Sequence, residues 1–418
     1  MNTYGWIILT TLIAGFIVDS IAHMLNLRSL HQGVPEGFAT EVPHAQYHRH
    51  QEYVRAQTRL HLAQSTWDLL LLLGFWLVHG FFWLDATVHN LGWGPTASGL
   101  LYIGILLLAN RLLSLPFSLY ATFVLETRFG FNRTTLGTWL TDLIKGTLLT
   151  VVIGGPILAG VLLLFTRFGP HIWPGVWGMI AGFMLLMQLV APTMIMPLFN
   201  RFSPLPEGDL RTTLLDYTRR VGFPVAGIAV MDGSRRSTKA NAFFTGFGKF
   251  RRIVLFDTLV KEFAPAELRA ILAHEVGHWR QHHLLKLLLL NLLNLAIMLY
   301  LLSLCLTLPE LFHAFYVAAP SVHAGLIFFV LLFTPVEMVL STLLKWRSRQ
   351  HEFAADHFAA QTCGDGSALV RALKKLAKDH LAHMTPHPLY VLLNHSHPPL
   401  IERVGKIRLA MGPTGHAG

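Results

Sequence analysis

The chain has 418 residues, of which 53% are hydrophobic and 13% are charged, and its formal net charge is +10. Soluble domains carry about 25% charged residues, so this composition excludes an ordinary soluble globular protein and indicates an integral membrane protein. The two cysteines, Cys305 and Cys363, show no pairing pattern, which argues against a disulfide framework and against a cysteine-based zinc site.

Seven apolar segments are long enough to cross a bilayer as helices. We predict transmembrane helices near 4–23, 66–84, 98–124, 137–165, 173–197, 284–307 and 322–345. The first segment contains Asp19 and has no basic region before it, so we expect a retained helix and not a cleaved signal. The pattern divides the chain into an N-terminal membrane domain with five spans, 1–202, and a second domain, 203–418, that includes the last two.

Nearly all lysines and arginines outside these segments lie in alternate connections. By the positive-inside rule, the N-terminus is then outside and the C-terminus is cytoplasmic. This topology accounts for the net positive charge, so we expect no nucleic-acid partner.

The third and fourth spans carry polar side chains at membrane depth, namely Asn110, Arg111, Asp142 and Lys145. Ionisable groups in such positions usually face a bundle interior or a water-filled cavity. For Lys145, which is near the end of a span, snorkelling to the interface is the alternative.

A segment of soluble character follows the fifth span. Its amphipathic stretch 208–221 predicts a helix, 228–231 predicts a strand, and 240–256 predicts a β-hairpin with its turn around 246–249. An exposed edge strand can hold an extended peptide through main-chain hydrogen bonds, and the strand around Asn241 is the candidate. A solvated edge with no ligand is the alternative.

The motif His274-Glu-Val-Gly-His278 comes next, on a predicted helix that begins near Pro265. The two histidines are four residues apart, so they project from one face and can bind one Zn²⁺. Glu275 points about 100° round the helix, where it can take a proton from a water on that metal. The alternative is a chance match in a chain with 23 histidines, or two core histidines that share a face.

A further helix is predicted over 348–360 and carries Glu352 and Asp356 on one face. Glu352 suits a third zinc ligand, and Asp356 suits a residue that orients a ligand histidine. A solvated helix face is the alternative. Two spans separate His278 from Glu352, so both emerge on the same side of the membrane. The small residues of this helix permit close packing, and they are Ala354, Ala355, Ala359 and Ala360.

Near the end of the chain, His397 and Arg403 lie in a segment constrained by prolines. Such groups could stabilise an oxyanion and bind a substrate carboxylate. Other histidines that flank the motif are expected to be mostly interfacial or solvated, and these are His282, His283, His351 and His357.

Taken together, these segments resemble the integral-membrane CAAX prenyl protease 1 family, also called type I CAAX endopeptidases. The similarity covers nearly the whole chain and is most specific in the runs 232–249 and 252–259. It implies an all-α polytopic membrane protein with seven transmembrane helices around a water-filled chamber and a small α+β zincin-like catalytic domain on the cytoplasmic side. It also implies a role for each of eight residues: His274, His278 and Glu352 as zinc ligands, Glu275 as base, Asp356 as support for a ligand, Asn241 on substrate backbone, and His397 and Arg403 lining the site.

The expected function is that of a zinc endopeptidase with one Zn²⁺ per chain, in which 203–418 is the metalloprotease domain. The resemblance implies removal of the three residues after a prenylated C-terminal cysteine, with a peptide or protein substrate and the lipid bilayer as partners. One alternative is a general quality-control protease of membrane proteins that needs no prenyl group, and another is a transporter or scaffold with structural zinc. Composition favours a bacterial cytoplasmic membrane, or the endoplasmic reticulum membrane if the source is eukaryotic.

Overall fold

The computed structural model describes residues 1–31, 33–34, 38, 42–246, 251–364 and 366–411. The helices of the N-terminal half are α1 (Thr3–Arg28), α2 (His44–Leu77), α3 (Gly80–His89), α4 (Pro95–Leu119), α5 (Leu136–Leu149), α6 (Gly155–Phe168), α7 (Trp173–Val190) and α8 (Met196–Phe199). Those that follow are α9 (Asp209–Arg220), α10 (Asp257–Glu262), α11 (Pro265–Arg280), α12 (His283–Cys305), α13 (Pro309–His313), α14 (Val322–Cys363), α15 (Gly366–Asp379), α16 (Pro388–Asn394) and α17 (Leu400–Met411). The strands are β1 (Phe202–Pro204), β2 (Gly227–Met231), β3 (Ala242–Thr245) and β4 (Arg252–Phe256).

Helices of membrane-spanning length and hydropathy occur at six of the seven predicted places, and a bent pair of helices occupies the seventh. Within the described residues, six are single runs: Thr3–Arg28, Pro95–Glu126, Leu136–Phe168, Pro170–Phe199, His283–Cys305 and Val322–Thr362. The predicted span at 66–84 is instead a pair, α2 and α3, bent by 62°. The bend lies at His79, whose φ of 62° is left-handed and ends the α-helical hydrogen bonding of α2.

The membrane helices form a ring. Around the ring, α1 contacts α2, the bent pair α2–α3 contacts α4, and the contacts continue through α6, α7, α12 and α14 back to α1. In the six single-run spans, only 6% to 22% of the most apolar window is buried, so most of the surface of each span faces either lipid or the interior of the ring. This arrangement is compatible with the predicted chamber.

An aromatic cluster closes one end of this chamber. Its largest buried members are Trp76, Tyr102, Phe312, Phe315 and Phe328, from α2, α4, α14 and the segment around α13. From Phe328, α14 continues for 24 residues, about 36 Å, to Glu352. The span predicted at 322–345 and the helix predicted at 348–360 are thus one helix, which connects the closed end of the chamber to the opposite end.

A four-stranded sheet lies at that opposite end, in the order β1-β2-β4-β3. β2 and β4 are parallel, and the two outer pairs are antiparallel. The helix predicted at 208–221 is α9, and the predicted antiparallel pairing of β3 with β4 is confirmed, although residues 247–250 of its turn lie outside the described residues. β1 was not predicted, because its three residues are flanked by prolines that indicate only a boundary.

The sheet and α9, α11, α15 and α17 share one hydrophobic core. Strand β4 supplies Ile253 and Leu255 at 1% exposure, and α11 supplies Leu268 and Leu272 at 1%. Since α11 is packed on this sheet, its motif residues are held on a rigid element.

The polar side chains predicted at membrane depth line a cavity. Asn110, Arg111 and Asp142 border a space of about 540 Å³, together with hydroxyl groups of Ser114, Ser118 and Thr150. Lys145 lies to one side and donates to the carbonyl of Leu198 at 2.7 Å. Arg111 of α4 and Asp142 of α5 therefore border a cavity and are not packed only against apolar side chains.

Candidate metal centre

The motif helix α11 brings two imidazoles together. It begins with Pro265, and the carboxylate of Glu267 accepts a hydrogen bond from the Ala264 amide at 3.0 Å, which satisfies one free amide of the first turn. On the next turns, His274 is buried and His278 half-buried, and their Nε2 atoms are 3.1 Å apart. The two nitrogens therefore point at one place, as the i, i+4 spacing predicts.

Glu352 reaches the same place from α14. Its Oε2 lies 3.5 Å from Nε2 of His274, and its Oε1 lies 3.3 Å from Nε2 of His278. The close approach of the two helices depends on small residues, because Gly277 lies against the backbone of Ala355, and Ala359 is also buried. The predicted close packing of the 348–360 segment is confirmed.

The donor set fits a zinc ion. Bonds of 2.0–2.1 Å in a tetrahedron separate neighbouring ligand atoms by about 3.3 Å. The two Nε2 atoms are 3.1 Å apart, and they lie 3.3 and 3.5 Å from different oxygens of Glu352, which are separations close to that value. Two imidazoles and one carboxylate are also a donor set that leaves a fourth position for water or substrate.

Asp356 and Arg403 support one ligand from behind. Nδ1 of His274 lies 2.8 Å from Oδ1 of Asp356, and Arg403 donates to both oxygens of Asp356, at 2.7 and 2.8 Å. Burial opposes charging of His274, but hydrogen bonds to Asp356 and Glu352 outweigh it and raise the pKa of His274 to about 9. Similarly, hydrogen bonds to Asp356 outweigh burial and raise the pKa of Arg403. Arg403 also approaches two of the candidate ligands, because its Nη1 lies 3.5 Å from Oε2 of Glu352 and its Nη2 lies 3.5 Å from Nδ1 of His274.

His278 has a support that the sequence analysis missed. Its Nδ1 lies 3.1 Å from Nδ1 of His283, and the His283 ring stacks on His351 at 4.0 Å between centroids. His283 and His351 are 3% and 4% exposed, so the expectation of a solvated or interfacial position is wrong for both. His282 and His357 are exposed, as expected. A general rule could have indicated this contact, because a metal-binding histidine usually has a hydrogen-bonding partner for its second ring nitrogen.

Glu275 and His397 lie next to the three ligands. The Glu275 side chain is half-buried, and burial raises the pKa of its carboxyl, although the nearby histidines oppose that shift. A carboxylate with a raised pKa is a better proton acceptor at neutral pH. His397 is 66% exposed at its side chain, and its Nδ1 lies 2.9 Å from Oε2 of Glu352. The C-terminal segment thus adds an accessible imidazole to the site.

Asn241 precedes the edge strand β3. Its backbone carbonyl accepts a hydrogen bond from the Phe256 amide at 3.0 Å, and its side-chain oxygen accepts one from Ala242 at 2.8 Å. β3 pairs only with β4 among the described strands, so its other edge is available for an extended peptide.

Two ion pairs tie the loop before Asn241 to the membrane helices, and neither was predicted. Arg236 donates to both oxygens of Asp142 on α5, at 2.7 and 2.9 Å, and also to Asn200 at 3.0 Å. Lys239 donates to Glu126 and to the Tyr53 hydroxyl, at 3.1 and 2.8 Å. The loop that leads into β3 is therefore positioned by the N-terminal half of the chain.

Comparison with known proteins agrees with this arrangement. Residues 204–410 match the family model described as Peptidase family M48. The chain belongs to that family. Residues 23–201 match a second model, described as CAAX prenyl protease N-terminal, five membrane helices. The chain is thus a metallopeptidase of family M48 and a multi-pass integral membrane protein, as the sequence motifs predicted.

Individual relatives and a solved structure are similar over most of the chain. A CAAX prenyl protease 1 homolog of Oryza sativa subsp. japonica is 37% identical over 74% of this chain and 72% of its own length. CAAX prenyl protease 1 of Saccharomyces cerevisiae is 33% identical over 89% of this chain and 87% of its own. The crystal structure of S. mikatae Ste24p superimposes with a TM-score of 0.93 at 31% identity, and covers 97% of this chain and 99% of that one. The predicted family and the predicted polytopic chamber fold are confirmed.

Proposed function

We propose that this M48 peptidase is a zinc endopeptidase that cleaves after a prenylated C-terminal cysteine and removes the three residues beyond it. The observation that carries the proposal is the convergence of His274, His278 and Glu352 at one end of an enclosed chamber, with Glu275 beside them. The names of the relatives, CAAX prenyl protease 1, support the substrate class.

His274, His278 and Glu352 would hold Zn²⁺, which when bound polarises a carbonyl and makes a water more acidic. Glu275 accepts the proton of the attacking water on a carboxylate oxygen and delivers it to the nitrogen of the leaving amine. Asp356 fixes the ring of His274 through Nδ1 and keeps Nε2 directed at the metal position. His397, which is exposed beside the ligands, donates a hydrogen bond to the oxyanion.

The substrate chain adds to the free edge of β3. An extended peptide there pairs with the main chain of β3, and the Asn241 side chain contacts the peptide backbone. In the described contacts only Oδ1 of Asn241 is used, by the Ala242 amide, which leaves the Nδ2 group to donate to a peptide carbonyl. Arg403, held by Asp356, presents positive charge next to the site, where it attracts the carboxylate of a substrate C-terminus.

Orientation follows from the charge asymmetry of the connections. We propose that the N-terminus is outside and that the metal centre and C-terminus are cytoplasmic. The division at 202/203 separates the five spans of the N-terminal membrane domain from the protease domain, which includes α12 and α14. The bacterial cytoplasmic membrane stays the predicted location, with the endoplasmic reticulum membrane as the alternative. We expect no nucleic-acid partner.

Two other functions are separable from this one. A quality-control protease would use the same metal centre and cleave extended peptides without regard to prenylation. A transporter or scaffold with structural zinc would need a fourth protein ligand, but the metal-ligating group at this site in the described residues has three members.

A cleavage assay distinguishes these functions. The purified chain, wild type or Glu275→Gln, is incubated with a farnesylated C-terminal CAAX peptide and with the same peptide lacking the farnesyl group, and the products are identified by mass. We expect wild type to release the last three residues from the farnesylated peptide only, and Glu275→Gln to keep its zinc and lose at least about 10²-fold in rate.

Equal cleavage of both peptides would favour the quality-control function. Full activity of Glu275→Gln would refute the proposed mechanism. No cleavage by zinc-loaded wild type would favour the structural-zinc alternative.

A further inference from the structure

A second group of metal-ligating side chains lies between α1 and α2, away from the catalytic residues. We propose that Asp19, His23 and His61 bind a divalent transition-metal ion. Their ligand atoms all lie within 4.8 Å of one another, which among the described residues is true of this group and of His274, His278 and Glu352.

The carboxylate of Asp19 lies between the two histidines. Its Oδ2 is 2.8 Å from Nε2 of His61, and its Oδ1 is 3.7 Å from Nε2 of His23. The longer distance exceeds that of a hydrogen bond, but it is within the span of two ligand atoms on opposite sides of one ion, about 4 Å. A carboxylate and two imidazoles on two helices are thus already within reach of one ion.

His23 is the second observation that indicates a ligand. It is 6% exposed, and its Nδ1 has no hydrogen-bonding partner among the described residues. Its ring lies parallel to that of His61, with 4.0 Å between centroids, and edge-on to Tyr390 of α16 at 4.8 Å. Its Nε2 faces Asp19 at 3.7 Å, beyond hydrogen-bond distance, and a metal bond to this nitrogen would give the buried imidazole a strong contact.

The position of Asp19 strengthens this inference. It lies in a membrane-spanning helix, where an ionisable side chain is costly and usually has a functional role. Asp19 and His61 are partly exposed, so an ion can enter from that side. The catalytic mechanism uses none of these three residues.

The donor set defines the class of ion. Two imidazoles and one carboxylate suit Zn²⁺, Co²⁺, Ni²⁺ or Cu²⁺ and are a poor match for Ca²⁺ or Mg²⁺, which prefer oxygen ligands alone. At the catalytic centre, Asp356 holds the second nitrogen of His274, whereas the second nitrogen of His23 has no hydrogen-bonding partner among the described residues. Because such support strengthens metal binding, the second site is weaker than the catalytic one.

Bound metal would connect three parts of the chain. His23 and Asp19 are on α1, His61 is on α2, and Tyr390 on α16 lies against the His23 ring. The segment after α16 carries His397, so the ion would brace the helix that precedes this part of the active site.

Metal titration of the full chain tests the proposal. The protein in detergent is stripped with a chelator and titrated with Co²⁺, and bound equivalents are followed by visible absorption and counted by elemental analysis. The variants are His61→Gln and Asp19→Asn. The matched control is His48→Gln, which removes an exposed histidine of the same helix, 3.7 Å from Glu52. His278→Gln removes a ligand of the catalytic site.

We expect two equivalents for wild type and His48→Gln, with one bound tightly and one more weakly. His61→Gln and Asp19→Asn keep the tight equivalent and bind the other at least about tenfold more weakly. His278→Gln weakens the tight equivalent and keeps the other. One equivalent in wild type, or an unchanged second equivalent in either His61→Gln or Asp19→Asn, would overturn the proposal.

Discussion

Gly277 of α11 and Ala355 of α14 touch through their backbones. A Cβ atom at Gly277 would lie 3.0 Å from Cα and 3.1 Å from the carbonyl oxygen of Ala355. Because these atoms belong to a helix backbone, they cannot rotate away as a side chain could. This contact therefore sets the distance between the helix that carries His274 and His278 and the helix that carries Glu352.

Gly277→Ala should push the two helices apart. We expect metal affinity to fall about 10–100-fold, as when a supporting contact of a metal ligand is lost. Overpacking should also destabilise the fold by about 1–3 kcal/mol. Zinc retained against a graded chelator series and the thermal unfolding midpoint measure the two effects.

Gly405→Ala is the control for that substitution. Gly405 is an exposed glycine of α17, and nothing lies within 4 Å of a Cβ placed there. We expect zinc retention unchanged and slightly higher stability, because alanine favours a helix more than glycine does. Normal zinc retention in Gly277→Ala would show that the helices tolerate a wider separation.

Asp356→Asn should weaken the metal centre without removing a ligand. The Asp356 carboxylate orients His274 through Nδ1, and it forms an ion pair with Arg403. We expect metal affinity to fall about 10–100-fold, with cleavage restored when zinc is added in excess. Glu402→Gln, at an exposed acid of the same region, should leave zinc affinity as in wild type. If Asp356→Asn binds zinc normally, Asp356 does not support His274.

The pair Arg236–Asp142 should affect substrate binding and not metal binding. Arg236 holds the loop before β3 to α5, so Asp142→Asn and Arg236→Gln should each loosen the strand that receives the peptide. We expect KM for a peptide substrate to rise several-fold and zinc content to stay constant. The double variant should be no worse than either single one, because both remove the same interaction.

The pair Glu207–Arg211 is the comparison, since its glutamate side chain is 90% exposed. Arg211→Gln should leave KM unchanged, as expected of a surface ion pair. Additive effects of the two variants in the Arg236–Asp142 pair would mean that the residues act separately.

His380 should make stability depend on pH. Its Nε2 accepts a hydrogen bond from the Ala240 amide at 3.0 Å, and burial, with Lys239 nearby, lowers its pKa to about 4 from 6.5. Between these values the unfolded chain binds a proton that the folded chain does not. Above pH 6.5, His380 therefore makes its full contribution to the free energy of unfolding. This contribution falls as pH drops towards 4, by at most about 3 kcal/mol.

Thermal unfolding of wild type and His380→Gln at pH 7 and pH 5 measures this contribution. Glutamine keeps an acceptor for Ala240 but does not titrate, so we expect a smaller drop in the midpoint than in wild type. His44→Gln, at an exposed histidine, should behave as wild type does. Identical drops in wild type and His380→Gln would refute the assignment.

Local periodicity was sufficient to predict the convergence of three candidate metal ligands and the positions of the spans. The spacing of His274 and His278 fixes their common face in any α-helix, and two intervening spans require Glu352 to return to the same side. Span length likewise follows from bilayer thickness, so the predicted and observed spans agree closely except at His79 and after residue 345, where α14 continues as one helix. There the backbone enters a left-handed conformation, for which a histidine gives little sequence signal.

Contacts between distant segments could not be predicted from one sequence. Nothing near Arg236 indicates Asp142, which is 94 residues away, and nothing near Arg403 indicates that it donates to both oxygens of Asp356. The stacking of His283 on His351 likewise depends on the packing of α12 against α14. Such pairs are fixed by tertiary packing, on which hydrophobic periodicity carries no information.

An anomalous difference map at the zinc absorption edge tests the central claim most directly. We predict a strong peak within about 2.0–2.2 Å of Nε2 of His274, Nε2 of His278 and a carboxylate oxygen of Glu352, with one position free of protein ligands. The absence of a peak there from zinc-loaded protein, or a fourth protein ligand that closes the site, would contradict the account.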